Sequence, residues 1–542
     1  MSARASSLQW GLDHAGTSGR GAFSPLAYSL FRWVWIASVA SNVGTWMQNV
    51  GAAWLMTGLN ASPLYVALVQ TATSVPVFLL GVPAGAFADI VDRRKLLLIT
   101  QGGMLAAAAT LGGLTIAGLT GPWTLLSLTF ALGIGATMNG PAWQAIVPEL
   151  VPRSELPAAI GLNSLGFNLA RAAGPALGGL VVGLMGVGPA FVLNAVSFVG
   201  VMVVLYLWKR KPELTSAARE TVGSAMLAGI RYIRFAPPMH AVLIRSGVFI
   251  ISASALWAIL PLVAKVELKS ESTGYGLLLG CLGLGSIIAA LLLSRIRHLI
   301  SVDLLVTSAS VLFGIVNIAL AWLTQFWVVG LALLAGGMGW MAINSSLNTA
   351  AQTSLPAWVR ARALGAYILV FQGAMAIGSV IWGAVASRYG LRSTLLAAGI
   401  AIICGALLTA RFRLAGHREL DTTPSPHWPE PQLMRDTDPD RGPVLVTVEY
   451  FIDPAHASEF IAAMREMRRI RRRDGAVRWG IFEDAATPGR YLESFLVQSW
   501  GEHLRQHERV TVSDRKLEEQ ALKFHRGEGV PKVVHWLAAQ ED

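Results

Sequence analysis

Residues 81–95 read GVPAGAFADIVDRRK. An apolar run containing Pro76 and Pro83 reaches Gly85, passes two carboxylates at Asp89 and Asp92, and meets the bases Arg93, Arg94 and Lys95 before a second apolar run starts at Leu96. Two membrane-spanning helices joined by a tight, charged turn on the positive side of a bilayer have this composition, because bases accumulate in the loops that stay on the cytoplasmic face.

The pattern extends outward in both directions. Residues 33–88 hold no Asp, Glu, Lys or Arg, and 56 such residues are too many for one crossing, so the break at 57–63 divides them into two spans. Further spans are expected near 96–117, 122–147, 158–184 and 188–208, and then near 240–264, 273–294, 302–322, 326–349, 361–387 and 391–410, which makes twelve. The expected organisation is a tail at 1–26, a six-span bundle at 27–208, a polar connector at 209–238, a second six-span bundle at 239–413, a Pro-rich linker at 414–442 and a separate domain at 443–542.

Composition agrees with a membrane protein: 54% hydrophobic and 14% charged residues, with 55 Gly and 18 Trp. The net charge of +11 is unevenly placed, since residues 1–410 hold 23 Lys and Arg against 10 Asp and Glu, whereas 411–542 hold 20 against 22. The basic excess therefore belongs to the membrane part, where it faces anionic lipid, and gives no argument for nucleic acid. Fourteen bases fall in the loops on one side and four on the other, which puts the connector and both termini in the cytoplasm. The first 26 residues lack the apolar core of a signal peptide. Cys281 and Cys404 lie in apolar runs and suggest neither a disulfide framework nor a metal cluster, no cofactor motif is present, and no Walker lysine motif points to an ATP-driven motor.

Span 5 carries the next informative segment, Asn168 and Arg171 followed by Gly174-Pro175-Ala176-Leu177-Gly178-Gly179. Glycines let helices approach closely, and a proline frees a carbonyl. Arg171 stands near midspan, where a guanidinium is costly unless it meets a polar cavity or a partner, so it either binds a polar or anionic substrate group or locks carbonyls in place. Polar and aromatic residues recur at helical spacing at Asn42, Trp46 and Asn49, at Asn139 and Trp143, and at Asn344 and Asn348. Such stripes line either helix contacts or an amphipathic cavity for an organic molecule. No acidic residue stands at the middle of a span, so a carrier for a coupling proton is not evident.

Gly85, Ala88, Asp89, Arg93 and Arg94 resemble the signature loop between helices 2 and 3 of major facilitator superfamily transporters, departing from it at Ile90 and Asp92. The span 5 segment resembles the fifth-helix motif of exporters in that superfamily. Residues 41–47 (SNVGTWM), 148–152 (PELVP) and 162–171 (LNSLGFNLAR) resemble the enterobactin-exporter-like group, the transmembrane secretion effectors. The resemblance implies a major facilitator fold of two six-helix bundles, with Gly85, Asp89, Arg93 and Arg94 as a cytoplasmic gate. It also implies proton-coupled efflux of a small organic molecule such as a siderophore, by alternating access. An importer or facilitator would share the architecture and differ only in direction.

The last hundred residues read differently. A strand at 444–452, a helix at 454–473 with Phe460, Met464, Met467 and Ile470 on one face, strands at 477–483 and 491–498, helical pieces to 523 and a strand at 532–537 give the order βαββαβ of a ferredoxin-like fold. Residues 471–476 (RRRDGA), 493–500 and 500–509 (WGEHLRQHER) resemble the antibiotic biosynthesis monooxygenase type of dimeric α/β barrel. That resemblance implies a homodimer closed through the sheet. His503 and His507, four apart on a helix, are a weak metal pair. A regulatory or dimerising role is expected of the tail rather than catalysis, with a transporter fused to an active enzyme as the alternative.

Overall fold

The computed structural model describes residues 21–59, 62–208, 222–414, 421–425, 427–428 and 438–539, and of Ala86, Asp89 and 222–228 only the backbone. The expected features on residues 1–20, 209–221, 429–437 and the Asp89 side chain lie outside the described residues. By internal contacts the chain forms two compact units, one of residues 1–216, 245–346 and 368–411, the other of 217–244, 347–367 and 412–542.

The first unit is all helical. In its first half run α1 (Ser29–Gly58), α2 (Pro63–Ile90), α3 (Arg93–Ile116), α4 (Pro122–Leu150), α5 (Leu156–Met185) and α6 (Val187–Leu207). After α7 (Val222–Phe235), which belongs to the second unit, come α8 (Pro237–Leu262), α9 (Ser272–Leu299), α10 (Val302–Leu320), α11 (Phe326–Thr353), α12 (Ala357–Tyr389) and α13 (Leu391–Thr409), of which residues 237–244, 347–353 and 357–367 also fall in the second unit. Among the described residues nine stretches are long and apolar enough to cross a membrane, the last of them, 357–409, taking in both α12 and α13. Local chemistry sets the boundaries. Pro63 and Pro122 open α2 and α4, where a missing N–H costs nothing, and Asp92 caps α3 by accepting the Lys95 amide at 2.9 Å.

The two halves repeat one another. The fifth and sixth helices of each half are joined through one glycine, Gly186 with φ 88° and Gly390 with φ 83°, a left-handed conformation that a Cβ would strain. Gly112 packs against the backbone of Val192, and Gly314 against Gly399, so the third and sixth helices of each half meet at small residues.

The tail in the second unit contains β1 (Val444–Phe451), α14 (Ala457–Asp474), β2 (Arg478–Glu483), β3 (Arg490–Val497), α15 (Trp500–Arg509), α16 (Val512–Leu522) and β4 (Lys532–Leu537). The strands form an antiparallel sheet in the order β2-β3-β1-β4, with Val444 opposite Val497 on one side and Leu537 on the other. Alternation along β1 sends Val444, Val446, Val448 and Tyr450 inward and leaves Leu445 and Phe451 exposed. Phe460, Met464, Met467 and Ile470 of α14 cover the inner face, each contributing about 1.5–3 kcal/mol by burial.

Here the closed-barrel expectation is corrected. The sheet is open, ending at β2 and β4, whose outer edges pair with no further strand among the described residues, so one copy of this segment closes no barrel. Four strands are too few to curl round on themselves. The linker expectation also gains content: the Ser425 amide donates to Val510 O at 2.8 Å and Val512 N to Thr423 O at 3.0 Å, so 421–425 runs along the junction of α15 and α16.

Candidate functional site

In the first unit the two halves of the chain meet at small residues. A Cβ built on Gly179 of α5 would lie 2.7 Å from both Gly276 Cα and Ser272 O, and one on Gly276 of α9 would lie 2.7 Å from Pro175 O. Gly183 faces Thr273, and Gly283 faces Ala172, so the seam runs along both helices. The partner seam joins α2 to α12: Gly383 lies against Ala67 and Leu64, Thr71 Oγ1 donates to Ala376 O at 3.2 Å, and the Leu64 amide donates to Ser387 Oγ at 3.0 Å. Thus the second and fifth helices of one half meet the fifth and second of the other. The end of the seam near residues 57 and 265 is latched, since Lys265 Nζ donates to Thr57 O at 2.8 Å beside the stacked rings of Trp54 and Tyr275.

The glycines of the span 5 segment divide their work. Gly174 and Gly178 admit Trp46 and Met47 of α1, whereas Gly179 and the carbonyl of the buried Pro175 meet Gly276 of the second half. Arg171 is half-buried on α5, and among the described residues its guanidinium makes no hydrogen bond or ion pair.

The 89–95 turn holds its own half together. Arg93 donates to Glu149 Oε1 at 3.0 Å and to Ala145 O at 3.1 Å, which ties α3 to α4. Arg94 donates to Leu205 O and Tyr206 O at 2.7 and 2.6 Å, which ties α3 to α6. Gly85 faces open space.

The polar stripes are mostly local. Asn42 donates to Ser38 Oγ, Asn168 to Ser164 O and Asn344 to Trp340 O, each one helical turn back. Asn348 accepts from Gln352, and Asn139 accepts from Gln101 at 3.2 Å across α3 and α4. Trp143 packs into the first-half core with Ala142 and Ile146, and Asn49 is half-buried on α1.

Three arrangements escaped the sequence reading. Arg245 of α8, 3% exposed, donates to Asp303 Oδ1 of α10 at 2.6 Å and to Thr307 Oγ1 at 2.7 Å. Asn194 donates to Gln48 at 3.1 Å between α6 and α1, both side chains buried. Trp340 gathers Phe249, Trp257, Phe313 and Phe371 around it. A lone base inside the apolar run 240–264 was the signal for the first, the same signal that drew attention to Arg171.

The tail has a buried polar core. Arg471 of α14 bonds Glu493 Oε1 at 3.1 Å and Glu518 Oε1 at 3.2 Å, and Glu493 also accepts from Tyr450 and Trp479. Burial acts to raise the Glu518 carboxyl, but the Arg471 charge and donation from His427 and Trp428 hold it at about 2. His503 and His507 do share a face, Nε2 to Nε2 at 3.4 Å, with the His535 ring 4.7 Å from His503. Burial pushes His503 down to about 3 and His507 down to about 4, so both rings are neutral near pH 7. Among the described residues no three His, Cys, Asp or Glu groups gather as a metal site.

Long apolar helices meeting along paired small-residue seams, with a small helix-and-sheet tail, define a multi-pass membrane transporter of the major facilitator type. Solved structures of that fold superpose on it: a bacterial homologue of the human lysosomal transporter Spinster, inward-facing and unoccupied, with a TM-score of 0.59 at 14% identity over 71% of this chain and 97% of that one. The nucleoside transporter NupG gives 0.60 at 12% identity over 71% and 99%. The chain belongs to the transmembrane secretion effector family, whose profile matches residues 20–542, the tail included. It is accordingly a transporter of the major facilitator type. Among similar proteins are the enterobactin exporter EntS of Escherichia coli O1:K1, 27% identical over 386 residues, 70% of this chain and 90% of the relative. Others are the staphyloferrin A transporter of Staphylococcus aureus, 23% identical over 67% and 91%, and the multidrug efflux pump Tap of Mycolicibacterium fortuitum, 24% identical over 74% and 98%.

Proposed function

We propose that this chain is a secondary exporter of a small amphipathic organic molecule, driven by protons across a bacterial inner membrane. In this reading α1–α6 and α8–α13 are two six-helix bundles that rock about the substrate, with both termini and α7 in the cytoplasm. The observation that carries it is the pair of seams, α5 on α9 and α2 on α12, latched at the end holding Thr57 and Lys265. That end bears the fewer loop bases and is therefore the outer one, so the conformation is closed to the outside and loads from within. The similarity to an enterobactin exporter and to a multidrug efflux pump favours efflux. Asn42, Trp46, Asn49, Asn139, Trp143, Asn168, Asn344 and Asn348 are the candidate cavity residues, Arg171 stands with Gly174, Pro175, Gly178 and Gly179 in the α5 motif, and Gly85, Asp89, Arg93 and Arg94 are the inner gate. The tail is read as a ferredoxin-like cytoplasmic domain, and self-association through its exposed outer face, where Leu445, Leu492 and Trp536 stand, belongs to the same proposal.

Vesicles of opposite orientation test direction. Inverted vesicles carrying the protein should accumulate a siderophore or cationic dye when a proton gradient is imposed, and a protonophore should abolish it. Accumulation confined to right-side-out vesicles would establish an importer instead.

A further inference from the structure

Within the second unit three segments remote in sequence meet around one carboxylate. Glu502 of α15 accepts from Arg231 of α7 at 2.5 Å, from Arg509 at 2.7 Å and, on its other oxygen, from Arg505 at 2.9 Å. The Arg509 guanidinium lies 4.5 Å over the ring of Trp358, in the first turn of α12. Trp358 meets Tyr232 edge to face at 5.6 Å, and Tyr232 in turn faces Arg473, which Asp474 and Asp514 hold. Gly229 of α7 comes so near that a Cβ there would sit 3.0 Å from Arg362 Cβ. The connector helix, the base of α12 and the tail thus share a single buried polar and aromatic cluster.

Each held segment continues into a long apolar helix. Beyond Ala236 the connector becomes α8, and beyond Tyr367 the base of α12 becomes the stretch that bears Gly373, Gly378 and Gly383. Both belong to the second half of the chain. Rocking of one bundle against the other transmits force only if each bundle moves as one body. A polar contact among α7, α12 and the tail is well suited to hold those bases together, because buried charge-assisted bonds and an Arg–Trp stack are strongly directional.

We propose that the tail is a built-in clamp: docked through Glu502 and Arg509 onto Arg231 and Trp358, it fixes the base of α12 to the connector so that the second bundle turns over as a rigid body. The inference rests on the alternating-access reading above. It assigns the tail a mechanical role in the cycle, and it predicts a turnover defect without a binding defect.

The test uses the full chain in proteoliposomes with Arg231→Glu, which places a carboxylate against Glu502, and with Arg231→Lys as the conservative control. Arg231 lies outside the tail, so its replacement leaves the tail's own sheet and helices intact. R231E should expose residues 229–236 to hydrogen exchange and lower the maximal rate about threefold or more with KM unchanged, while R231K keeps most of the rate. Loosened exchange with an unchanged rate, or an unchanged exchange pattern, would overturn the clamp. So would a tail that unfolds in R231E, as judged by pulse proteolysis, since a part that cannot fold undocked is no dockable clamp. Failure of the wild-type protein to transport under the same gradient would count against the exporter reading rather than against the clamp.

Discussion

Arg245 and Asp303, 58 positions apart, form a short ion pair between α8 and α10, with the guanidinium also reaching Asp303 O and Thr307 Oγ1. The Arg245 guanidinium, placed among Val248, Phe249 and Val306, has lost much of its hydration, while Asp303 stays partly exposed. Mutual attraction within the pair repays that loss only while both partners are present.

Removing one partner should therefore hurt more than removing both. Asp303→Leu alone removes the carboxylate that balances a buried guanidinium and should cost on the order of 3–5 kcal/mol. The double variant Arg245→Met with Asp303→Leu should recover most of it. Thermal unfolding of the purified protein in detergent measures the difference. A double variant as unstable as D303L would show that the pair is held for its hydrogen bonds to Thr307 and the backbone rather than for charge balance.

The α5–α9 seam makes a second prediction. Gly179 faces backbone atoms, Gly276 Cα and Ser272 O, which have no rotamer to yield. Gly179→Ala should thus push the helices apart at a cost of about 1–3 kcal/mol and depopulate the latched conformation. Gly85→Ala, facing open space, should leave it alone. Spin labels at Leu59 and Leu268 should report a longer mean distance in G179A and the wild-type distance in G85A.

Much of the helical architecture was legible because apolar runs, charged turns and prolines are local signals. The 81–95 stretch showed two helices and their turn, and Gly179 was marked by its place in Gly174-Pro175-x-x-Gly178-Gly179. What the turn's arginines do was not legible: Arg93 and Arg94 bind the ends of α4 and α6, and only packing shows which carbonyls are in reach. The contacts of the asparagine stripes were not legible for a related reason. Asn42, Asn168 and Asn344 each donate to the preceding turn, and periodicity reports the face on which a residue stands but not the bond that it makes. Arg231 and Glu502 are 271 positions apart, so an amphipathic connector offered the membrane surface or solvent as its surroundings and no hint of the tail.

Residues 427–428, a strap ahead of the sheet, give a third prediction. Trp428 donates to Glu518 at 2.9 Å, lies 4.7 Å from the Arg471 guanidinium and meets His507 edge to face at 5.0 Å. Trp428→Ala removes a donor from a buried carboxylate along with the ring contacts, and should destabilise the tail by about 2–4 kcal/mol. Trp428→Phe keeps the ring and loses only the donor, so it should cost less. Pulse proteolysis of the tail in urea ranks the three proteins. Equal midpoints for wild type and W428A would mean that the strap adds nothing to the fold.

Acid should loosen the same domain, and the sign follows from the histidines. His503 Nδ1–H donates to Gln506 Oε1 at 3.1 Å, which leaves its Nε2 as an acceptor toward His507 Nε2. A proton on His503 would set two N–H groups against each other, with His535 of β4, Arg471 of α14 and His427 of the strap adding to the unfavourable field. Both folded values, about 3 and about 4, lie below the ordinary 6.5 of an unfolded imidazole, so the unfolded chain binds more protons between those limits and stability falls as pH falls. The loss begins near pH 6.5 and deepens toward pH 4. At about 1.4 kcal/mol per pH unit and ring, the two rings together account for a loss on the order of 4 kcal/mol by pH 5. Glu518, held at about 2, adds to the loss only below its ordinary value near 4.5. The urea midpoint for proteolysis of the tail should therefore drop between pH 7.5 and 5, and His507→Gln, which cannot titrate, should flatten part of that drop. A midpoint that holds steady or rises over this range would show that the imidazoles take up protons in the folded protein at least as readily as in the unfolded chain, and the acceptor assigned to His503 Nε2 would be wrong.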